Sequence, residues 1–397
     1  KIYSKEDFMK RYFFIMLVFF TVFVITNCGK KNNNQNASTS GKSTATTDSK
    51  PSSNGSSATI NAELMNKLKA IVIDPKCKID PSNGYVTGCD DLLDSVTKSI
   101  RSIGHVNALP TLASALGGSD IKLSTVASSF LYGQYQGFTV KPGDISPDLA
   151  NSLIDTLKSL KQGVAVNAAP AVVNAATLSG LENKLYPVVD GHSEPRVKQI
   201  GYQFLLTYGR AKTFPKIKEI SSSNKTEDII LALKAFRNIY NLTDQEKDLM
   251  CPWGQSYLSN PDINIATEAG ERMIGQCKGK YIDTLLTEAQ NRLKKKQVTR
   301  EFILMMRNMC SSFMGEKTAG VEKQCNSNYS FLEKVANTNG IDNFVRGLAL
   351  DSIYMQRRDE KTLKLMKKYK NHKIKEIKKY ANDAIKTLEA SLKGKKK

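Results

Sequence analysis

After Pro261 the chain contains no proline, and its apolar residues recur close to every 3.6 positions. Proline removes a backbone donor and clashes with the preceding turn, so its absence leaves room for unbroken helices. Helical spacing begins at Ala62 and is interrupted twice. One break runs from Val72 to Leu93 and holds Pro75, Pro81, Gly84 and Gly88; the other lies at Pro142 and Pro147, with Gly137 and Gly143 nearby. No stretch reads convincingly as alternating strand, and Ile121 to Phe130 is too small and polar for a buried one. The body is expected to be all-α.

The first residues read as an address. Lys1 to Phe8 is a polar leader ahead of Met9, the expected translation start, and Lys10-Arg11 precedes an apolar run from Phe13 to Ile25. A bilayer span takes about 18 apolar residues or more. This run is shorter and has positive charge before it, as in a secretory signal. A buried core helix fits less well, because no amphipathic pattern is present and a polar tract follows. The run ends in Val24-Ile25-Thr26-Asn27-Cys28-Gly29. This resembles a bacterial lipobox; Asn27, where a smaller residue is usual, resembles the relaxed lipobox of spirochaete lipoproteins. The resemblance implies a signal peptide over 1–27, acylation of Cys28, and attachment to a membrane through an N-terminal lipid. It implies a place in the bacterial cell envelope at the outer membrane, periplasmic or surface-exposed. Gly29 is not an Asp, so nothing argues for inner-membrane retention. Residues 29–59 hold 8 Ser, 5 Thr and 5 Asn with no aromatic, Leu, Ile or Val. Such a segment cannot offset its ordering entropy by burial. The region 28–60 is expected to be a disordered tether spanning about 30 Å, followed by an N-terminal helical cap with a Cys loop over 61–104.

A pattern recurs in the body. Leu109-Pro110-Thr111-Leu112 leads to Gly117-Gly118-Ser119-Asp120 and then to a segment with Ala127 among aliphatic residues. The layout returns at Leu185-Tyr186-Pro187 with Gly201, and at Leu258 to Asp262 with Ala266; looser copies centre on Ala232 and Ala349. Pro195 and Pro261 suit the first helical turn behind Ser or Asn caps. From Gly201 through Ala232 and Ala266 to Ala349 the spacings are 31, 34 and 83; the last has Leu304-Met305 midway, and the 74 residues from Ala127 to Gly201 leave room for two more units. These segments resemble the seams of HEAT repeats, where a small residue lets helices approach. An irregular HEAT-like helical solenoid is expected over 105–356; an irregular helical bundle is the alternative. The resemblance implies a non-enzymatic scaffold with an extended binding surface.

Apart from Cys28 there are six cysteines: Cys77, Cys89, Cys251, Cys277, Cys310 and Cys325. An exported protein meets oxidising conditions. Sequential pairing is expected, with Cys77–Cys89 and Cys310–Cys325 bracketing loops, and with Cys251 near the start of one helix meeting Cys277 at the end of the next. Free buried thiols and a metal site are the alternatives; metal would want closer spacing.

The formal charge is +20, yet residues 60–356 carry only +4 of it, while 357–397 carry +11 from 16 Lys or Arg and five acids. Leu363, Met366, Tyr369, Ile374, Ile377, Ala381, Ile385, Leu388 and Leu392 supply one apolar face, so this region reads as one basic C-terminal capping helix. It is either a solvated cap or a face for anionic surfaces, with Lys367, Lys368, Lys370, Lys373, Lys375, Lys378 and Lys379 as the candidate contacts. A signal peptide argues against intracellular nucleic acid.

No catalytic motif is found, and no cofactor or metal is expected. His192 sits beside Asp190, Ser193 and Glu194, but neighbours on a turn do not converge; Asp90-Asp91, Glu227-Asp228 and Asp359-Glu360 read as helix-end charges. Met305, Met306 and Met309 beside Phe302 and Phe313 read as core. The function expected is a membrane-anchored, non-enzymatic interaction module that presents a helical-repeat surface to an unidentified protein or polyanion. The alternatives are a structural envelope component that binds another envelope protein or cell wall, and, third, an enzyme of unknown class. If the basic helix is only a cap, the surface around Tyr202, Trp253 and Tyr354 takes its place.

Overall fold

The computed structural model describes residues 59–135, 143–239, 241–311 and 319–394. Residues 1–58, on which the signal-peptide, lipidation and tether expectations fall, lie outside these. The described chain is all-α, with a single strand hairpin among the described residues. Its helices are α1 (Ala62–Ile73), α2 (Asp90–Ile103), α3 (His105–Leu116), α4 (Ile121–Tyr135), α5 (Pro147–Ser159), α6 (Gln162–Leu178), α7 (Glu182–Asp190), α8 (Pro195–Gly209) and α9 (Phe214–Ser221). They continue with α10 (Thr226–Ala235), α11 (Asp244–Gln255), α12 (Ile263–Arg272), α13 (Lys280–Lys294), α14 (Arg300–Ser311), α15 (Ala319–Asn337), α16 (Asn343–Gln356), α17 (Glu360–Lys368) and α18 (Lys375–Gly394).

The helices form consecutive pairs, α3/α4 through α17/α18. The second member of each pair packs on the second member of the next, from α4 through α6, α8, α10, α12, α14 and α16 to α18. First members meet in the same way where α3 packs on α5, α5 on α7, α11 on α13 and α13 on α15. This is a helical-repeat array: each pair buries its apolar faces against its neighbours. The small residues Ala127, Ala232, Ala266 and Ala349 are fully buried in α4, α10, α12 and α16, and Gly201 is buried in α8. All five lie in the continuous layer. Leu304-Met305 lies in α14, between α12 and α16, and the stretch from Ala127 to Gly201 holds one further second-layer helix, α6.

Three sequence expectations need correction. Val72 to Leu93 is not wholly irregular: β1 (Lys78–Asp80) pairs antiparallel with β2 (Tyr85–Thr87), Ile79 opposite Val86. Three-residue strands are too short to show alternation. Pro195 does open α8, but behind Glu194, and Pro261 lies before the Asp262 cap of α12. The in-helix prolines of first members are Pro110, Pro187 and Pro252. Finally, 357–397 is not one helix. The chain turns between α17 and α18 with no Gly or Pro; His372 Nδ1 accepts from Ile374 N at 3.1 Å, and Lys370 O accepts from Asn382 at 3.2 Å. α18 packs closely on α16, where a Cβ on Gly347 would stand 2.6 Å from the Tyr380 ring.

The strand hairpin is seated on α6. Gly163 N donates to Ser82 O at 3.1 Å and Asn167 Nδ2 donates to Gly84 O at 2.8 Å. A Cβ on Gly163 would lie 2.1 Å from the Asn83 carbonyl carbon. Gly163→Ala is therefore expected to cost about 1–3 kcal/mol, as overpacking does, measured by denaturant unfolding. Gly275→Ala is the control, because a Cβ there meets nothing within 4 Å. Equal stabilities would mean that the hairpin does not sit where described.

Candidate interaction surfaces

The last pair is built so that its cations face water. Leu363, Met366, Tyr369, Ile377, Ala381, Ile385 and Leu388 are buried, with Ile374 and Leu392 packed partly against them. With that face turned inward, Lys367, Lys368, Lys370, Lys373, Lys375, Lys378 and Lys379 are all exposed. Among the described residues, Lys367 alone of these seven makes an ion pair, 2.9 Å from Glu389 across the pair. The ammonium beside it holds the Glu389 carboxyl below the usual range. Sequence reasoning missed Lys386 and Lys393, which are also exposed; their recurrence at intervals of seven after Lys379 was the available signal.

Asp359 caps α17 by accepting from Thr362 N at 2.8 Å and lies 3.6 Å from Arg357. Glu360 and Glu376 occupy the first turns of α17 and α18, where helix dipoles favour carboxylates. Asp383 is exposed on α18. Arg357 lies 4.5 Å over the Tyr329 ring and Arg358 5.2 Å over Tyr354.

The six body cysteines form disulfides Cys77–Cys89, Cys251–Cys277 and Cys310–Cys325. Cys251 lies in the second half of α11 rather than near its start, and Cys277 ends a π-turn that prolongs α12. Cys28, the lipidation candidate, lies outside the described residues.

Tyr202, Trp253 and Tyr354 do not make a surface. Tyr202 is fully buried; its hydroxyl donates to Asp190 at 2.7 Å, and burial raises its phenol well above the usual range. Trp253 packs edge-on against Phe214, Phe236 and Tyr257 and donates to Ser221 Oγ at 3.2 Å. Tyr354 lies under Arg358. Sequence position cannot separate a packed aromatic from an exposed one. His192 holds the turn between α7 and α8: Nδ1 accepts from Glu194 N at 3.0 Å, which leaves Nε2 to donate to Leu157 O at 3.0 Å. Met305, Met306, Met309 and Phe302 are buried in α14; Phe313 lies outside the described residues. Asp90-Asp91 and Glu227-Asp228 lie in the first turns of α2 and α10.

No known family matches the chain, and no curated protein or solved structure matches it. Among the described residues no group of three or more His, Cys, Asp and Glu is placed to hold a metal. An open groove between α13 and α15 is lined by Thr287, Gln290, Asn326, Ser327 and Ser330, with Asp283 and Lys334 among its charged residues. Asp283 there accepts from Gln324 at 3.1 Å. Burial holds the Glu268 carboxyl in α12 above the usual range, against the pull of Arg272 at 2.9 Å. Asp283 thus ties α13 to α15, while Glu268 and Arg272 pair within α12.

Proposed function

We propose that the protein is a membrane-anchored, non-enzymatic interaction module: a lipid on Cys28 holds it at the bacterial envelope, and its helical repeats present a binding surface to a protein or polyanionic partner. The observation that carries the reading is the exposed lysine face of α17 and α18, where Lys367 is the one of the seven candidates in an ion pair among the described residues. Polyanion binding by such a face grows with the number of cations that displace counterions and weakens with salt. In one set of experiments, full-length protein is expected to be retained on heparin and released by salt. Replacing the seven candidate lysines by Gln should bring elution to much lower salt. Palmitate label should enter wild type and not Cys28→Ala, which should leave the membrane fraction. Flow-through on heparin at low salt removes the polyanion partner, and a Cys28→Ala protein that still pellets after a salt wash removes the lipid anchor. Truncation after Gln356 is unsuitable as a test, because it strips α18 from the apolar side of α16.

A further inference from the structure

The lysines of the last pair form lines rather than a scatter. Lys375, Lys379, Lys386 and Lys393 recur at four and seven residues and are all exposed. In helical phase they lie opposite Ile377, Ala381, Ala384 and Leu388, which are buried. The line is about 27 Å long at about 1.5 Å per residue. Lys361, Lys364 and Lys368 form a second exposed line on α17. The bond from Asn382 to Lys370 O and the pair Lys367–Glu389 set α17 antiparallel to the second half of α18. Packed helix axes are about 8–10 Å apart, and Lys367 and Glu389 fall between the two lines. Together the lines make a plate.

Three properties of the plate select its partner. It is two-sided in extent, whereas a linear polyanion needs one line. Its cations are all lysine, compact hydrated charges that do not select a bidentate geometry; the segment's two arginines are stacked on Tyr329 and Tyr354. No large apolar side chain is exposed on either helix among the described residues, so the plate has nothing to insert. We infer that the α17/α18 pair lies flat on an anionic phospholipid surface and binds it through charge alone, without entering the bilayer. This rests on the reading above that the basic face meets polyanions, and it names which one.

The test uses full-length protein with vesicles of equal parts phosphatidylcholine and phosphatidylglycerol, and with vesicles of phosphatidylcholine alone. The apolar run 13–25 and any acyl chain act alike on both, so the readout is the ratio of the two partition coefficients. Each basic residue at an anionic surface strengthens binding several-fold. Replacing Lys375, Lys379, Lys386 and Lys393 by Gln is therefore expected to lower the ratio at least tenfold, with helix content by circular dichroism unchanged. High salt should bring the wild-type ratio towards one, since charges are then screened within about 3 Å. A wild-type ratio near one at low salt overturns the inference, and so does a ratio that the four substitutions leave unchanged. If heparin retention persists while the vesicle ratio is near one, the partner is a soluble polyanion: the inference fails and the proposed function stands. If heparin retention is also absent, the polyanion reading fails with it.

Discussion

Arg292→Ala is expected to lower the unfolding free energy by about 3–5 kcal/mol, the range for breaking a buried charge network by removing one member. The side chain on α13 is almost wholly buried. It donates to Leu258 O at 3.0 Å and Asn260 O at 2.7 Å, approaches Glu288 at 3.1 Å, and lies 5.9 Å over the Phe302 ring. It thus joins the turn inside one pair, between α11 and α12, to the first helix of the next. Truncation removes the donor from the buried Leu258 carbonyl and the half-buried Asn260 carbonyl, and leaves a carboxylate without its cation. Arg292→Met keeps most of the packing and removes the donors, so its cost measures the polar share. Denaturant unfolding of both variants gives the comparison. A loss below about 1 kcal/mol for Ala, the worth of one ordinary hydrogen bond, would mean that the seam does not depend on this residue.

The Cys251→Ala/Cys277→Ala double variant is expected to lose about 3.5 kcal/mol, from the entropy of the loop that the bond closes in the unfolded chain. The two sulfurs join α11 to the π-turn after α12, a sequence separation of 26, and both residues are buried. Reductant should lower the stability of the wild type. The double variant should show a smaller response to reductant, limited to the remaining two bonds. Wild type and double variant of equal stability under oxidising conditions would show that this bond contributes nothing, or does not form.

The repeat was legible because a helix joint needs a small residue, and Ala127, Gly201, Ala232, Ala266 and Ala349 are sparse enough to stand out among aliphatic neighbours. The turn before α18 was not, because Leu363 to Leu392 keep helical spacing through it. What stops the helix is a local closure, His372 on Ile374 N and Asn382 on Lys370 O, made from residues that also occur inside helices. The same turn hid the site. Lys367 and Glu389 are 22 apart in sequence and meet only because the chain folds back. Each lysine was recognisable as a cation, but its place in a line depended on which face α18 buries against α16. Tyr202 and Trp253 failed as surface candidates for a related reason: their polar atoms have partners, Asp190 and Ser221, supplied by other helices.

Side-chain bonds to backbone carbonyls between pairs mostly point one way along the chain, although Arg210 donates forward to Asn241 O and the ion pairs Arg210–Glu246 and Arg307–Asp351 also run forward. His192 reaches back to Leu157 O, Gln276 to Arg237 O, Arg292 to Leu258 O and Asn260 O, and Gln324 to Gly279 O. In each case the later residue donates and the earlier one accepts. These carbonyl contacts are therefore completed in chain order. A pair that has left the ribosome still has open carbonyls until its successor arrives with the donor, so each unit is finished by the one made after it. Synthesis from the N-terminus supplies the donors in the order in which the acceptors are waiting. An array cut short at any of these seams would expose acceptors at its end, whereas one that lacks its first units would have unused donors on long side chains that can turn to water.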